Sequence, residues 1–488
     1  MPIQSDLIII GAGPGGYRAA GHAAQHGLKV VIFESAKVGG TCLNEGCIPT
    51  KSFARNAEIV LTLKEASLFG LDNLSYDFCF QQVIDRKNEV LTQLRSGIDT
   101  LLSHPNITLV RGEARFVDAH TVACCPACSD TITSDLVCGD AIATPGSACG
   151  DGITTTEQQY TAPAIIVATG SVSKSLRLQE PATRPVLDSA DLLNIDHLPK
   201  SLCIIGAGVI GMEFASIFSA FGTEVTVVEF LKECLPALDS DIAKRLRKVL
   251  EKRGVVFNLQ CGVTAITPDG VTFTNKKGKE ETVQAEEVLM AVGRAPRVFD
   301  HFQNAGFEYD ARTGIKVDDN FETTVKGIFA IGDVNSRMML AHAAEMQGLR
   351  VVDYILSQRN GKNASHLSPL TSYLEVMPAA IFTNPEAACV GMTEDQLKAE
   401  GVEYECRKAF HRANGKALAM NETEGMLKLL SEPGAGRIIG CHAFGAHSAD
   451  LIQEVSALMC RQTTVAQLRL MIHIHPTLSE ILLTAAES

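Results

Sequence analysis

Three observations predict an α/β fold with two Rossmann-like dinucleotide-binding domains and a C-terminal α+β domain. A glycine triplet, Gly11-Ala-Gly13-Pro-Gly-Gly16, follows an apolar run and opens a helical stretch. The same succession recurs at Gly206-Ala-Gly208-Val-Ile-Gly211. From about Leu367 the phosphate-loop pattern stops, and strands alternate with amphipathic helices. The expected domains are 1–175, carrying a cysteine-rich insertion over 118–160, then 176–297, a central 298–366 that completes the first nucleotide site, and 367–488, suited to dimerisation.

Each element follows from its residues. Leu7-Ile-Ile-Ile10 is an unbroken apolar run, as expected of a parallel strand buried on both faces. The alanine-rich stretch after Gly16 has helical character, and Lys29-Val-Val-Ile-Phe33 is a second strand ending at Glu34. Glycines let the backbone approach a pyrophosphate at the helix N-terminus, and Glu34, 23 residues beyond Gly11, is placed to accept from ribose hydroxyls.

Residues 39–51 read Gly-Gly-Thr-Cys-Leu-Asn-Glu-Gly-Cys-Ile-Pro-Thr-Lys. Cys42 and Cys47 stand five apart, and on a regular helix that spacing puts their Cα atoms about 8–9 Å apart. A disulfide needs roughly 4.4–6.8 Å, so the pair can join only across a distorted backbone, which the glycines and Pro49 allow. A strained accessible disulfide is reactive. Two unrelated buried thiols fit the spacing equally well.

Residues 52–105 read as helical, with Ile59, Leu63, Ile84, Ile98 and Leu101 as apolar positions, and Ile107-Thr-Leu-Val-Arg111 returns to strand. The insertion is rich in small residues and holds Cys124, Cys125, Cys128, Cys138 and Cys149. Cys125 and Cys128 form a C-x-x-C without a second pair or a suitably spaced histidine, so a small β-meander with an extended loop is expected rather than a metal site. Ala164-Ile-Ile-Val-Ala-Thr169-Gly170 is a buried strand ending in a tight turn, and a linker runs over 171–198.

The repeat then supplies a strand at Leu202-Cys-Ile-Ile205, the second triplet, a helix with Met212, Phe214, Ile217 and Phe218, and the strand Val225-Thr-Val-Val228 ending at Glu229. Gly206 to Glu229 is again 23 residues, so two dinucleotides are expected. A 2′-phosphate would be repelled by Glu229 and needs an arginine, which residues 230–234 lack; NAD is favoured over NADP. Val288-Leu-Met-Ala-Val-Gly293-Arg294 echoes the Thr169-Gly170 strand.

Asp333 ends another apolar strand, where it could hold a polyol hydroxyl or simply close a turn. A helix from Leu340 carries His342, Glu345 and Gln347. Near the end stands His473-Ile-His475-Pro476-Thr-Leu-Ser-Glu480. Pro476 could open a helix, letting Glu480 fold back on His475 and leave the imidazole as a base; a plain helix start with a solvated histidine is the alternative. His473 has no acid at matching spacing.

The net charge of −13 argues against non-specific binding to nucleic acid or an anionic membrane, and no apolar run is long enough to span one. The first residues lack a secretory pattern, so the fifteen cysteines are read as thiols of a cytoplasmic protein, with any disulfide catalytic.

Residues 39–51, both glycine motifs, Gly332-Asp333 and the His475–Glu480 stretch together resemble the flavin-dependent pyridine nucleotide-disulfide oxidoreductases, along nearly the whole chain except 118–160. The resemblance implies FAD at Gly11, Gly13, Gly16 and Glu34, with Lys51, Thr169, Gly170, Asp333, Ala341 and His342 around it. It implies NAD at Gly206, Gly208, Gly211, Glu229 and Gly293, with Glu213 pairing with Lys51. Cys42 and Cys47 become a redox disulfide, Cys42 towards the substrate and Cys47 towards the flavin. His475, oriented by Glu480, becomes the base, supplied by the other subunit of a homodimer. The implied substrate is dihydrolipoamide on lipoyl domains of 2-oxoacid dehydrogenase or glycine cleavage complexes. Mercuric reductases would end in a cysteine pair, glutathione reductases favour NADP, NADH oxidases of the family use one cysteine, and a non-catalytic flavoprotein subunit would leave this machinery idle.

Overall fold

The computed structural model describes residues 1–124, 157–178, 180–359, 361 and 376–488. The C-x-x-C, Cys138 and Cys149 lie outside these residues, as does the expected domain boundary at 367. No helix among the described residues is long and apolar enough to cross a membrane. The chain divides into two compact units.

The first unit comprises Met1–Asn44, Gln93–Val172 and Ala295–Ser368. Its centre is a five-stranded parallel sheet in the order Ile328–Ala330, Ala164–Val167, Leu7–Ile10, Val30–Glu34, Ile107–Arg111. The Leu7–Ile10 strand is central, which explains why all four residues are apolar: both faces are covered. Helices Pro14–Gln25 and Ala341–Arg359 pack together, and the opposite core gathers Phe33, Phe116, Phe302 and Phe307. The insertion is flanked by Thr121–Cys124 and Gln158–Thr161, paired antiparallel, and Ala114–Phe116 extends the ladder, so a meander forms at its base.

The second unit comprises Glu45–Thr92, Ser173–Arg294 and Pro369–Ser488. It holds a four-stranded parallel sheet, Val256–Leu259, Glu224–Glu229, Ser201–Ile205, Glu287–Met290, with the antiparallel strands Gly262–Thr267, Gly270–Thr274 and Glu280–Val283. A five-stranded antiparallel sheet, Ala379–Ile381, Ala387–Gly391, Ile438–Phe444, Met426–Ser431, Glu405–Phe410, carries helices Ser448–Cys460 and Glu480–Glu487. Phe53, Phe80, Phe214, Phe218 and Phe221 form a core in which edge-to-face rings predominate.

Residues 52–105 are not one helical run. Helix Cys47–Lys64 ends in a 3-10 turn, Ala66–Phe69, closed by left-handed Gly70, and helix Phe80–Leu102 begins afresh. Gly70 at φ +77° and Asn73 at φ +57° hold conformations that no helix continues through. Ile59, one of the apolar positions of this stretch, is exposed.

Two buried histidines of the C-terminal sheet region set a pH response. Burial pushes His411 and His442 below the ordinary imidazole value, although His411 Nδ1 meets Glu422 O at 3.3 Å and His442 Nε2 meets Met392 O at 2.8 Å. Below pH about 6.5 the unfolded chain protonates both while the native chain resists, so stability is full above that pH and falls as pH drops towards the depressed folded values. The slope reaches about 2.7 kcal/mol per pH unit from two such groups. Glu386 and Glu422, raised by burial, oppose this nearer the carboxylate range. Thermal midpoints of the wild type are expected to fall between pH 7.5 and 5.5, and less steeply in His442→Asn; identical slopes would rule out His442 as a source.

Candidate active site

The first glycine loop is shaped by contacts that a side chain would block. Gly11 has φ +107°, and a Cβ there would sit 2.4 Å from Ala168 O. Gly40, at φ +57°, would carry its Cβ to 2.8 Å from Gly13 Cα, so the cysteine-bearing stretch lies directly against the loop. Gly13 is the N-cap of helix Pro14–Gln25 and offers no side chain to the first-turn N–H groups, which suits an anionic phosphate there. Buried Glu34 accepts from Ala12 N at 2.8 Å through one oxygen and from Ala36 N at 2.8 Å through the other. It therefore ties loop to strand end and keeps further lone pairs for ribose hydroxyls.

Asp333 lies in a 3-10 turn, Gly332–Asn335, and accepts from Ser171 Oγ at 2.5 Å. Gln347 Oε1 accepts from Gly332 N at 2.7 Å and Asn335 Nδ2 at 2.9 Å, fixing the turn. Gly170 O accepts from Arg297 N at 2.9 Å, and Thr169 Oγ1 donates to Arg297 O at 2.8 Å. Ala341 and His342 open the helix that follows. Ser171 was not among the expected residues; only its place after Thr169-Gly170 hinted at it.

The second loop repeats the first almost atom for atom. Gly206 has φ +104°, and its Cβ would stand 2.5 Å from Ala291 O. Gly208 is again an N-cap without a side chain. Glu229 accepts from Ala207 N at 2.5 Å and from Leu231 N at 2.7 Å. Gly293, at φ +104°, accepts at its carbonyl from Lys174 N at 3.0 Å. Arg247 is held by Glu233 at 2.6 Å and by Glu251 at 2.5 Å. A 2′-phosphate at the second loop would be repelled by Glu229.

Glu213, almost fully buried on helix Val209–Phe221, receives Lys51 Nζ at 3.0 and 3.1 Å. The two residues are 162 positions apart, and helices Cys47–Lys64 and Val209–Phe221 pack to bring them together.

The cysteines sit on either side of a break. Cys42 is on the short helix Gly40–Asn44, and Cys47 begins helix Cys47–Lys64 after the irregular N-cap Gly46. The backbone between the two cysteines is therefore not one regular helix. Asn44 Nδ2 donates to Val38 O and Gly40 O, holding the first helix in its turn. Tyr17, an unanticipated neighbour, has its hydroxyl pushed up to about 12 by burial, then by Glu345 and Cys42.

His475 Nδ1 lies 2.9 Å from Glu480 Oε1, and Glu480 Oε2 accepts from Thr477 N at 2.9 Å. The Thr477 N–H, and then His475, hold the Glu480 carboxyl below its ordinary range. One expectation needs correction. Pro476 does not open the helix: the His475–Pro476 peptide is cis, and the helix begins at Glu480. His473 has no acid at the matching spacing, but helix Ser448–Cys460 brings Glu454 to 3.1 Å from its Nε2.

Two dinucleotide loops, a cysteine pair at a helix break and an acid-held imidazole define a nucleotide-dependent redox protein. The chain belongs to the pyridine nucleotide-disulphide oxidoreductase family, whose profile matches residues 5–348, with the family's dimerisation domain over residues 377–486. It is 36% identical to a dihydrolipoyl dehydrogenase of Geobacillus stearothermophilus over 99% of this chain and 96% of that one. It is 33% identical to a leghemoglobin reductase of Glycine max over 99% of this chain and 87% of that one. In structure it is similar to the Cu(II) complex of an HOCl-induced flavoprotein disulfide reductase from Escherichia coli, with TM-score 0.81, 28% identity and 99% of each chain covered.

Proposed function

We propose that the chain is a dihydrolipoyl dehydrogenase, a cytoplasmic homodimer that oxidises dihydrolipoamide borne on lipoyl domains of 2-oxoacid dehydrogenase or glycine cleavage complexes and reduces NAD. The observation that carries the reading is the His475–Glu480 pair at 2.9 Å, in a chain that also holds two glycine loops, each tied to a buried glutamate. A dithiol substrate needs a base, and the pair supports one.

The residues fit two dinucleotides. Gly11, Gly13, Gly16 and Glu34 would take the pyrophosphate and ribose of FAD, with Lys51, Thr169, Gly170, Asp333, Ala341 and His342 around the rest. Gly206, Gly208, Gly211, Glu229 and Gly293 would take NAD, with Glu213 holding Lys51. Bound FAD and NAD supply the passage of two electrons as a hydride equivalent from the reduced cysteines to the pyridine nucleotide.

The chain's own residues do the thiol chemistry. His475 of one subunit takes a proton from a substrate thiol, since only the thiolate attacks. The thiolate attacks Cys42 of a Cys42–Cys47 disulfide, forming a mixed disulfide and releasing Cys47 as thiolate. The second substrate thiol then attacks the first substrate sulfur and displaces Cys42, closing the lipoamide disulfide; its proton goes to the departing Cys42 sulfur while His475 keeps the first, and both cysteines are left reduced. Dihydrolipoamide added anaerobically to the holoenzyme is expected to give long-wavelength thiolate–flavin absorbance, with NADH formed in preference to NADPH on adding nucleotide. A flavin that stays oxidised, or turnover with glutathione disulfide instead, would overturn the proposal.

A further inference from the structure

The segment after strand Ala379–Ile381 reaches the Lys51–Glu213 pair at two points and the Glu213 helix at a third. Phe382 N donates to Glu213 Oε1 at 2.9 Å. The Phe382 ring faces the Lys51 ammonium, with Nζ 4.6 Å from the ring centroid. Two residues on, Asn384 N donates to Ser216 Oγ at 2.9 Å, one turn further along the Glu213 helix. Glu213 is almost fully buried, whereas Lys51 is about a third exposed. The carboxylate is thus fixed by a main-chain donor that no substitution at 382 short of proline removes, while the ammonium has freedom to swing unless something holds its far side. An aromatic face does this: its negative quadrupole attracts the cation without forming a competing hydrogen bond, so all Nζ hydrogens remain for Glu213 and for a ligand.

We propose that Phe382 is a positioning residue for Lys51: its N–H anchors Glu213, and its ring pins the ammonium, so that the C-terminal sheet sets where the fixed positive charge stands. This deepens the proposed function and rests on its placing of Lys51 beside the flavin. A pinned cation stabilises an anionic reduced flavin more than a mobile one, because its stabilisation is in place before charge develops.

The test uses the dimeric FAD holoenzyme. Phe382→Leu keeps the N–H and removes the ring face. The midpoint potential of the bound flavin, read by dye equilibration, is expected to move to a more negative value, and the rate of NADH-dependent flavin reduction to fall about threefold to tenfold, the range of a lost cation–π contact. Phe382→Tyr should retain both. In a Lys51→Met background, Phe382→Leu should add nothing to potential or rate, because the ring has lost its cation. An unchanged potential in Phe382→Leu, or additive effects in the double variant, would overturn the proposal. If Phe382→Leu fails to assemble, Phe382→Met carries the same measurements with a flexible side chain of similar reach. Should the wild type take no electrons from dihydrolipoamide while the Phe382 effect persists and vanishes with Lys51→Met, the substrate assignment fails and the positioning role stands.

Discussion

His475→Gln is expected to lower the turnover of dihydrolipoamide by about 10²–10⁴-fold, the span that a positioned general base contributes. Glutamine is close in size and polar, so loss of packing cannot account for such a fall. His475 is 79% exposed in the single chain, so the substitution should leave folding and flavin content intact. NADH-driven reduction of an artificial electron acceptor bypasses the dithiol and should stay within about twofold of wild type, reflecting the small effects usual for exposed sites. Glu480→Gln should be milder, because Thr477 N still has an oxygen to bond while the imidazole loses its charged partner. His473→Gln supplies the control. Its ring is also held by an acid, Glu454, yet its side chain is only 5% exposed. If His473→Gln abolished dithiol turnover and His475→Gln left it within fivefold, the assignment of the base would be reversed.

The sites differ in how far sequence revealed them. Both glycine loops were legible because loop and acid close over 22 residues within one strand–helix–strand unit, as Ala12–Glu34 and Ala207–Glu229 show. His475–Glu480 was legible as five residues of chain, though its hinge is a cis peptide and not a helix start. Ser171–Asp333 and Tyr17–Glu345 span 162 and 328 residues, and no periodicity encodes such pairings. Lys51–Glu213 was reached only through resemblance. Glu454 was missed because a search by spacing around His473 does not see an adjacent helix. The helix break at Gly70 was missed because the apolar positions on either side share one helical period, while the left-handed glycine between them carries the information.

Lys428→Met is expected to be the most destabilising single change considered, at about 3–5 kcal/mol, the cost of leaving a buried charge without its partner. Lys428 lies on strand Met426–Ser431 with its side chain 1% exposed, and donates to both oxygens of Asp239, itself 0% exposed, at 2.7 and 2.9 Å. It also pairs with Glu394. Asp239 cannot turn elsewhere: it already accepts from Asp241 N and Glu394 N, each at 3.1 Å, capping helix Ser240–Lys252 and steadying the start of helix Glu394–Glu400. Burial works against ionising Glu394, yet hydrogen bonds from Lys398, Lys428 and Tyr404 bring its carboxyl down to about 2, and those from Lys398 and Tyr404 stay when the lysine goes. The damage should reach the second nucleotide loop, because Leu235, four residues before Asp239, donates its N–H to Ala207 O at 2.9 Å. Thermal unfolding of Lys428→Met should therefore come about 3–5 °C lower for a chain of 488 residues, with weakened NADH binding. Adding Asp239→Asn removes one stranded charge and should recover part of the loss, since these effects couple rather than add. A Lys428→Met protein within about 1 kcal/mol of wild type, or a double variant no better than the single, would show that this junction draws its strength from the surrounding packing and not from the buried charges.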